Sequence, residues 1–361
     1  MSTNPISIGL IFGGKSPEHD ISLRSARNIV AALNPEVYDL ILIGISRQGR
    51  WFLSTEAELH DPLVEIGTQG SPLVLIPAGS PPIQRMDGQP FECPQVIFPI
   101  THGPLGEDGT LQGLLTQLNL PFTGPDTLAS AAAMDKDVTK RLLRDADLLV
   151  ADWITIHSWE QDSIDYMGVV NKLGLPVYIK PANMGSSVGV SKVERVEDFS
   201  AAVREAFQFD HKILIESAIT GRELECGVLG NEEIAATSIG EVGMVAETFY
   251  DYESKYESDH AADIRIPAPN LDDQILAKLI LVAKHAYRII GCEGMTRVDM
   301  FLTEDGEVYV NELNTLPGFT SISMYPKLWE HAGTSYAELL DELIQLAIRR
   351  NQRNQRISRR K

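Results

Sequence analysis

The chain has 361 residues, 50 Asp and Glu against 31 Lys and Arg, and a formal net charge of -19. At 43% hydrophobic it can fill the cores of two or three domains, which excludes a disordered chain. The acidic balance argues against nucleic acid or an anionic membrane as the main partner, so an anionic ligand must be held by a few local cations. No apolar run approaches the roughly 20 residues of a membrane span, and the start MSTNPISIGL lacks a basic and then apolar secretion signal. The expectation is a cytoplasmic globular protein. Cys93, Cys226 and Cys292 form no CxxC pair and are expected to behave as small buried hydrophobes.

From the N-terminus, ISIGLIF, YDLILIGI and VIFPI read as strands, and 16–33 and 109–118 as helices. This alternation predicts an α/β unit over 1–124 with a mostly parallel sheet. In the first helix Ser16 is the expected N-cap and Pro17 occupies N1, while Leu23, Ala26, Val30 and Leu33 share one face. Glu18 and His102 then each follow the C-terminal end of a strand, at the edge where open α/β sheets bind ligands. Residues 9–16 (GLIFGGKS) satisfy the Walker A pattern, but Leu10, Ile11 and Phe12 continue a buried strand and cannot also wrap a pyrophosphate. That match is set aside.

A helical stretch, LASAAAMDKDVTKRLLRDA, opens a second unit over 125–219. Its strands VYIK, VGVSKV and KILIE and its helix VEDFSAAVREAF predict antiparallel α+β pairing. A third unit over 220–348 holds the strands ELECGVLG and EIAATSIGEV, a helix over 271–289 and two further strands. The loop FYDYESKYESDH, within 244–262, is too polar for core and reads as a connector or a water-excluding lid, with Lys255 and Tyr256 as its candidate functional residues. The final RRNQRNQRISRRK, 349–361, reads as a solvated, disordered basic tail.

The segment MTRVDMFLTEDGEVYVNELN reads as two strands joined by a tight Asp305-Gly306 turn. Pairing Glu304 with Glu307 sets Asp299 against Glu312 and Arg297 against Asn314, all on one sheet face. Opposed carboxylates destabilise a hairpin unless something positive lies between them, and such hard oxygen donors suit Mg2+. The alternatives are a solvent-facing charged patch neutralised by Arg297, or a longer loop that shifts the register. Lys180 ends an apolar strand and precedes PANMGSSVG, whose small residues let backbone N–H groups approach phosphate oxygens; an ordinary hairpin turn gives the same pattern. Lys136 is either a ligand or a surface lysine, and Glu216 and Glu223 flank a strand-to-strand connection. The segment PGFTSISM, 317–324, follows the proposed metal strand and reads as a carboxylate-binding loop or a helix cap.

Taken together, GGKSPEHDIS, HGPLGEDGTLQG, MDKDVTK, KPANMGSSVGVSKV, YDYESKY, TRVDMFL and NELNTLPGFTSIS closely resemble the D-alanine:D-alanine ligases of the ATP-grasp superfamily, in order and spacing over nearly the whole chain. The resemblance implies a three-domain ATP-grasp architecture, α/β and α+β, with a Rossmann-like N-terminal parallel-sheet domain before the central and C-terminal ATP-grasp domains. It implies ATP-dependent ligation of two D-alanines through an acyl phosphate, for peptidoglycan precursor synthesis. ATP is then the cosubstrate, with two Mg2+ (or Mn2+) as cofactors, and the chain a homodimer.

By the same resemblance Glu18 would hold the ammonium of the first D-alanine, hydrogen-bonded with Ser186 and Tyr256, and His102 would lie near the substrates. Arg297 and the Gly318 N–H would stabilise the tetrahedral intermediate, and Ser323 and Met324 would receive the second carboxylate. Lys136, Lys180 and Lys255 would contact the ATP phosphates. Glu216, Ala218, Ile219 and Glu223 would receive adenine and ribose, Asn311 and Glu312 would join the ATP contacts, and Asp299, Glu312 and Asn314 would hold the metals. Ser217 and Ala218 stand where some relatives carry lysine and tryptophan, which would leave adenine to backbone contacts. Relatives that make D-alanyl-D-lactate or D-alanyl-D-serine are the alternative; they differ in the lid or by a basic group near the second carboxylate, and neither change is visible in the sequence. A nucleotide-binding protein without turnover is the non-enzyme alternative, hard to reconcile with Arg297, Asp299, Glu312 and Asn314 together.

Overall fold

The computed structural model describes residues 5–243 and 263–357, so the expected lid, with Lys255 and Tyr256, lies outside the described residues. In the N-terminal unit β1 (Ile6–Gly13), β2 (Tyr38–Ile45), β3 (Trp51–Leu53), β4 (Ser71–Leu75), β5 (Ile83–Arg85) and β6 (Val96–Pro99) form one sheet in the order β5-β4-β3-β2-β1-β6. Only β2, β1 and β6 are parallel; β3, β4 and β5 run antiparallel. The sheet is therefore half parallel rather than mostly so, because the link from β2 to β3 is too short for the crossover that a parallel pair requires.

Helix α1 spans His19–Ala32, three residues later than its sequence suggests. Ser16 does not cap it: its Oγ accepts from the Glu18 N–H at 3.1 Å in a turn before the helix, and Glu18 takes the N-cap position without a side-chain cap bond. The buried face centres on Ile21, Ser22, Ser25, Ala26 and Ile29, with Leu23, Val30 and Leu33 packed at its margin. Strand order reverses between β1 and β6, and Glu18 and His102 follow the carboxyl ends of those two strands. This is the crevice where doubly wound sheets hold ligands. Helices α2 (Glu56–His60) and α3 (Thr110–Gln117) complete the unit.

The expected long helix after Gly124 is two helices, α4 (Thr127–Met134) and α5 (Lys136–Asp145). Asp135 breaks it: its backbone is extended and its carboxylate caps α5 by accepting from the N–H groups of Asp137 and Val138. In the central unit β7 (Trp153–His157), β8 (Val177–Pro181), β9 (Ser191–Val193) and β10 (Lys212–Ser217) form an antiparallel sheet in the order β7-β10-β8-β9. Helices α6 (Tyr166–Leu173) and α7 (Phe199–Ala206) pack on it around Val169, Ile179, Phe199 and Ile213.

The third sheet is antiparallel, β13-β12-β11-β14-β15, built from β11 (Arg222–Gly230), β12 (Ile234–Gly243), β13 (Asp263–Arg265), β14 (Gly294–Leu302) and β15 (Val308–Asn314). It is backed by α8 (Asp273–Ile290), and Ala129, Ala132 and Leu143 of α4 and α5 lie in the same core. By packing, those helices join the third sheet, not the second.

Helix α9 (Met324–His331) precedes α10 (Tyr336–Gln355). Most of the expected tail is thus helix. Leu339, Leu343 and Ile344 pack with Ile8, Leu10 and Phe98 of the first sheet, and the buried Arg350 donates to the carbonyls of Gly124 (2.5 Å) and Phe122 (2.7 Å). A basic run reads as solvated by composition, but one helical face turns Arg350 inward onto carbonyls that the chain leaves open. No helix among the described residues is long and apolar enough to cross a membrane.

These contacts predict that a chain ended after Ile348 loses about 3 kcal/mol of stability, since two buried carbonyls lose their donor. One ended after Ile357 should unfold like the full chain. Thermal unfolding of both truncations decides the matter, and equal stability would show that Arg350 carries nothing.

Candidate active site

All three units meet around a cavity of about 540 Å³. The N-terminal unit supplies Glu18, His102 and Glu107, the α4–α5 segment supplies Lys136, and the loop after β8 supplies Gly185 and Ser186. The third sheet adds Glu223, Glu225, Arg297, Glu312 and Asn314, and the segment after β15 adds Gly318, Ser323, Met324 and Lys327.

The β14–β15 hairpin shows how the acidic wall is made. Asp299 does pair with Glu312 and Arg297 with Asn314, yet the turn is not the expected tight one. Leu302 pairs with Val308, Thr303 N–H donates to Glu307 O at 3.0 Å, and Gly306 takes φ +81°, giving a loop of 304–306 with a left-handed glycine. That shifts the register by one residue, and a bulge between Asp299 and Met300 shifts it back, leaving Asn311 without a partner. The bulge also exchanges faces. Val308 and Val310 point into the core before it, Leu313 after it, so Glu312 and Asn314 emerge on the cavity side. Asn311, expected among the ATP contacts, is the extra residue and lies outside the cavity lining.

Arg297 donates through Nε and Nη2 to both oxygens of Asp299, at 2.7 and 2.6 Å, and its Nε lies 3.2 Å from Glu225 Oε2. Burial alone would lower its pKa, but Asp299 and Glu225 raise it well above the ordinary value. Among the described residues no group of three or more His, Cys, Asp or Glu is arranged to hold a metal ion. The donors on offer are two carboxylates and an amide. They fit a hard cation at one telling atom: Asn314 Oδ1 is buried and has no hydrogen-bond partner among the described residues.

In the central unit Lys180 and Lys140 both reach Glu216 Oε2, at 2.9 and 3.0 Å. Burial pushes the Glu216 carboxyl up, but the two lysines pull harder and hold it below the ordinary range. Burial holds Lys140 down at about 8. Glu216 therefore sits behind Lys180 as its counter-ion. Ala218 and Ile219 follow β10, half-buried and outside the cavity lining, while Glu223 lines it. Lys136 Nζ donates to Met184 O at 2.6 Å and lies 3.7 Å from Glu312 Oε2, so it ties the loop after β8 to the third sheet. Its pKa is lowered by burial.

That loop is strained: Ser186 (φ +50°) and Ser187 (φ +59°) both adopt left-handed backbone that non-glycine residues seldom take. Asp210 anchors its start by accepting from Asn183 N at 2.8 Å. The payoff is contact across units, where the Ser186 hydroxyl donates to Glu18 Oε1. His102 is buried and lies 3.5 Å from Glu107; burial lowers its pKa, but Glu107 and Glu18 outweigh this and raise it. Gly318 has no room for a side chain, since a Cβ there would lie 2.8 Å from Ser323 Oγ.

Lys140, Glu225 and Lys327 were not singled out by the sequence. Lys140 stands four residues after Lys136 on one helix, and Glu225 two after Glu223 on one strand, so both shared a face with a candidate. Lys327 is the basic group near Ser323 and Met324 that the sequence did not reveal.

Two antiparallel sheets that present lysines and carboxylates to one cavity, set against a doubly wound α/β unit, make up the ATP-grasp architecture. The family model described as "D-ala D-ala ligase N-terminus" matches residues 7–125, and that described as "D-ala D-ala ligase C-terminus" matches 142–345. The D-alanine–D-alanine ligase of Oceanobacillus iheyensis is 48% identical over 357 residues, 97% of each chain. Among solved structures, the D-alanine-D-alanine ligase from Coxiella burnetii superposes with a TM-score of 0.83 at 37% identity, covering 97% of both chains. The VanG D-Ala:D-Ser ligase from Enterococcus faecalis gives 0.85 at 35%, covering 95% of this chain and all 100% of that one. The chain belongs to the D-alanine–D-alanine ligase family.

Deleting Asn311 removes the extra residue, so that Glu312 follows Val310 in plain alternation and, with Asn314, still faces the cavity. The expected result is a folded protein that keeps its activity to within about 10-fold, as Asn311→Ala should, because the pairing of Asp299 with Glu312 is unchanged. Ligase assays with circular dichroism on both variants test this, and a loss of about 10²-fold or more in the deletion would refute the face exchange, since in a strand without the bulge the deletion would turn Glu312 and Asn314 to the core.

Proposed function

We propose that this chain joins two D-alanine molecules into D-alanyl-D-alanine, with cleavage of ATP to ADP and phosphate, for peptidoglycan precursor synthesis. The observation that carries the reading is the Ser186–Glu18 contact, which closes an ammonium-binding carboxylate of one unit against the strained loop of another, inside the same cavity as Arg297 and Gly318.

In the first step a carboxylate oxygen of the first D-alanine attacks the γ-phosphorus, and the bond from that phosphorus to the ADP oxygen breaks. Glu18 holds the ammonium of this D-alanine, while Lys136 and Lys180, with Lys255 by family resemblance, take up phosphate charge. In the second step the amine of the second D-alanine, having given one ammonium proton to water, attacks the acyl carbon and passes a second proton to the departing phosphate. The resulting oxyanion is met by the Arg297 guanidinium and the Gly318 N–H, and collapse expels phosphate. Ser323 and Met324 receive the second carboxylate, with Lys327 beside them. Asp299, Glu312 and Asn314 would hold two Mg2+, or Mn2+, which supply charge neutralisation between the phosphates. Glu223, Ala218 and Ile219 would meet ribose and adenine, the last two through backbone.

Lys327 gives one reason to keep the alternative second substrates in view, since a cation near the second carboxylate is the feature expected where D-lactate is used. The test is phosphate release with ATP and Mg2+ on D-alanine, L-alanine, and D-alanine mixed with D-lactate or D-serine, with products resolved by mass. Release with D-alanine alone, giving the dipeptide, is expected. Mixed products in preference to the dipeptide would replace the second substrate, and no release with any pair would leave a nucleotide-binding protein without turnover. Arg297→Lys, which keeps the charge but loses the fork, should lower kcat by roughly 10²–10³-fold.

A further inference from the structure

The loop that carries Gly318 is pinned from outside its own unit. Phe319 N–H donates to Ser25 Oγ at 3.2 Å, Ser25 Oγ lies 3.3 Å from His102 Nε2, and His102 Nδ1 lies 3.1 Å from Leu316 O. A carbonyl only accepts, so Nδ1 carries a proton; in the neutral ring the Ser25 hydroxyl donates to Nε2, and in the charged ring that Glu107 and Glu18 favour, Nε2 donates to Ser25 Oγ. The result is a closed relay that brackets Pro317 and Gly318 at both ends. Asn28, one turn further along α1, donates through Nδ2 to Phe319 O at 3.2 Å, and Tyr336 Oη donates to the same oxygen at 2.7 Å. Ser25 is fully buried, so water does not compete for its hydroxyl. It is not part of the cavity lining, whereas Glu18, at the head of the same helix, is.

We propose that Ser25 is a positioning residue for the Gly318 N–H, with α1 acting as the rigid spacer between the carboxylate that holds the first substrate and the donor that meets the oxyanion. This rests on the reading of Gly318 given under Proposed function. A hydroxyl that only docked the loop would affect stability and all binding steps alike. A positioning hydroxyl acts on the step in which charge builds on the acyl oxygen, because a displacement of about 1 Å at an oriented donor can cost on the order of 10²-fold in rate.

The experiment compares the full-length wild type with Ser25→Ala and Ser25→Thr in D-alanine-dependent phosphate release. It also measures inhibition by a phosphinic dipeptide analogue whose tetrahedral phosphorus mimics the intermediate. For Ser25→Ala, kcat should fall about 10²-fold. KM for ATP and for the first D-alanine should be unchanged, and affinity for the analogue should fall in proportion to kcat. Ser25→Thr, which keeps the hydroxyl, should restore most of both. Wild-type kcat in Ser25→Ala, or a fall shared equally by ATP and first-substrate binding, would overturn the proposal. Should Ser25→Ala not fold, Asn28→Ala frees Phe319 O from the same helix and should give the same split on a smaller scale; its absence would count equally against the relay. A wild type that forms no dipeptide would overturn the functional reading beneath as well.

Discussion

A guanidinium cannot shed its proton, so burying Arg297 commits the surrounding sheet to carboxylates. Asp299 engages two of its three nitrogens from two residues along β14, and Glu225 reaches it from β11, where it is the cross-strand partner of Asp299. A slip of one residue between β11 and β14 would send these side chains to the opposite face and strand a charge among Cys226, Val298 and Met300, at a cost far above that of a lost surface contact. The register of the whole third sheet is thus fixed by the site it serves. The Asn311 bulge follows from the same demand. It lets β15 bury Val308 and Val310 at one end and still deliver Glu312 and Asn314 to the cavity at the other.

The central unit faces the converse problem of a lysine, Lys180, that is nearly buried. Glu216, on the neighbouring strand, supplies the counter-charge, and Lys140 from α5 shares it. The break at Asp135 is what brings α5 into place: it ends α4 and caps α5, and its carboxylate pairs with Lys212 at the start of β10. A continuous helix would have set Lys136 on the same face as Ala129, Ala132 and Ala133, in the apolar core. Breaking it turns Lys136 toward Met184 and Glu312, so one lysine touches the backbone of the loop after β8 and the acidic strand at once.

Much of this was legible in the sequence where short-range rules apply. The short β-rich runs ISIGLIF and VIFPI located the strands whose ends carry Glu18 and His102, and Lys180 ending an apolar strand before small residues marked the loop that enters the cavity. The pairing of Asp299 with Glu312 came out right although the turn did not, because the longer 304–306 loop and the bulge at Asn311 displace the register in opposite senses. Neither has a distinct local signature: Asp-Gly serves short and longer turns alike, and a bulge is selected by what both sheet faces must bury. Long-range partners were illegible for the same reason. Nothing adjacent to Arg350 in sequence says that the carbonyls of Phe122 and Gly124 await it, and nothing near Lys140 names Glu216.

The chain's net charge of -19 sharpens how such a protein could receive a polyanion. Distant surface charges are screened over about 10 Å at ordinary ionic strength, so what an ATP phosphate meets is set by the groups in the cavity wall and close behind it. Those groups are segregated. On the central side Lys140 and Lys180 share a single carboxylate, with Lys136 beside them. On the third-sheet side Asp299, Glu225 and Glu312 all act on one guanidinium. Phosphate oxygens are favoured against the first wall and hard cations against the second, so a nucleotide lying between them is oriented before any residue contacts its base. The orphaned Asn314 Oδ1 belongs to this second wall: a neutral oxygen donor adds coordination without adding to the repulsion among the carboxylates. An acidic protein can therefore favour one direction for ATP, because Lys136, Lys140 and Lys180 stand together on one side of the cavity, whereas Arg297 on the other is held by carboxylates.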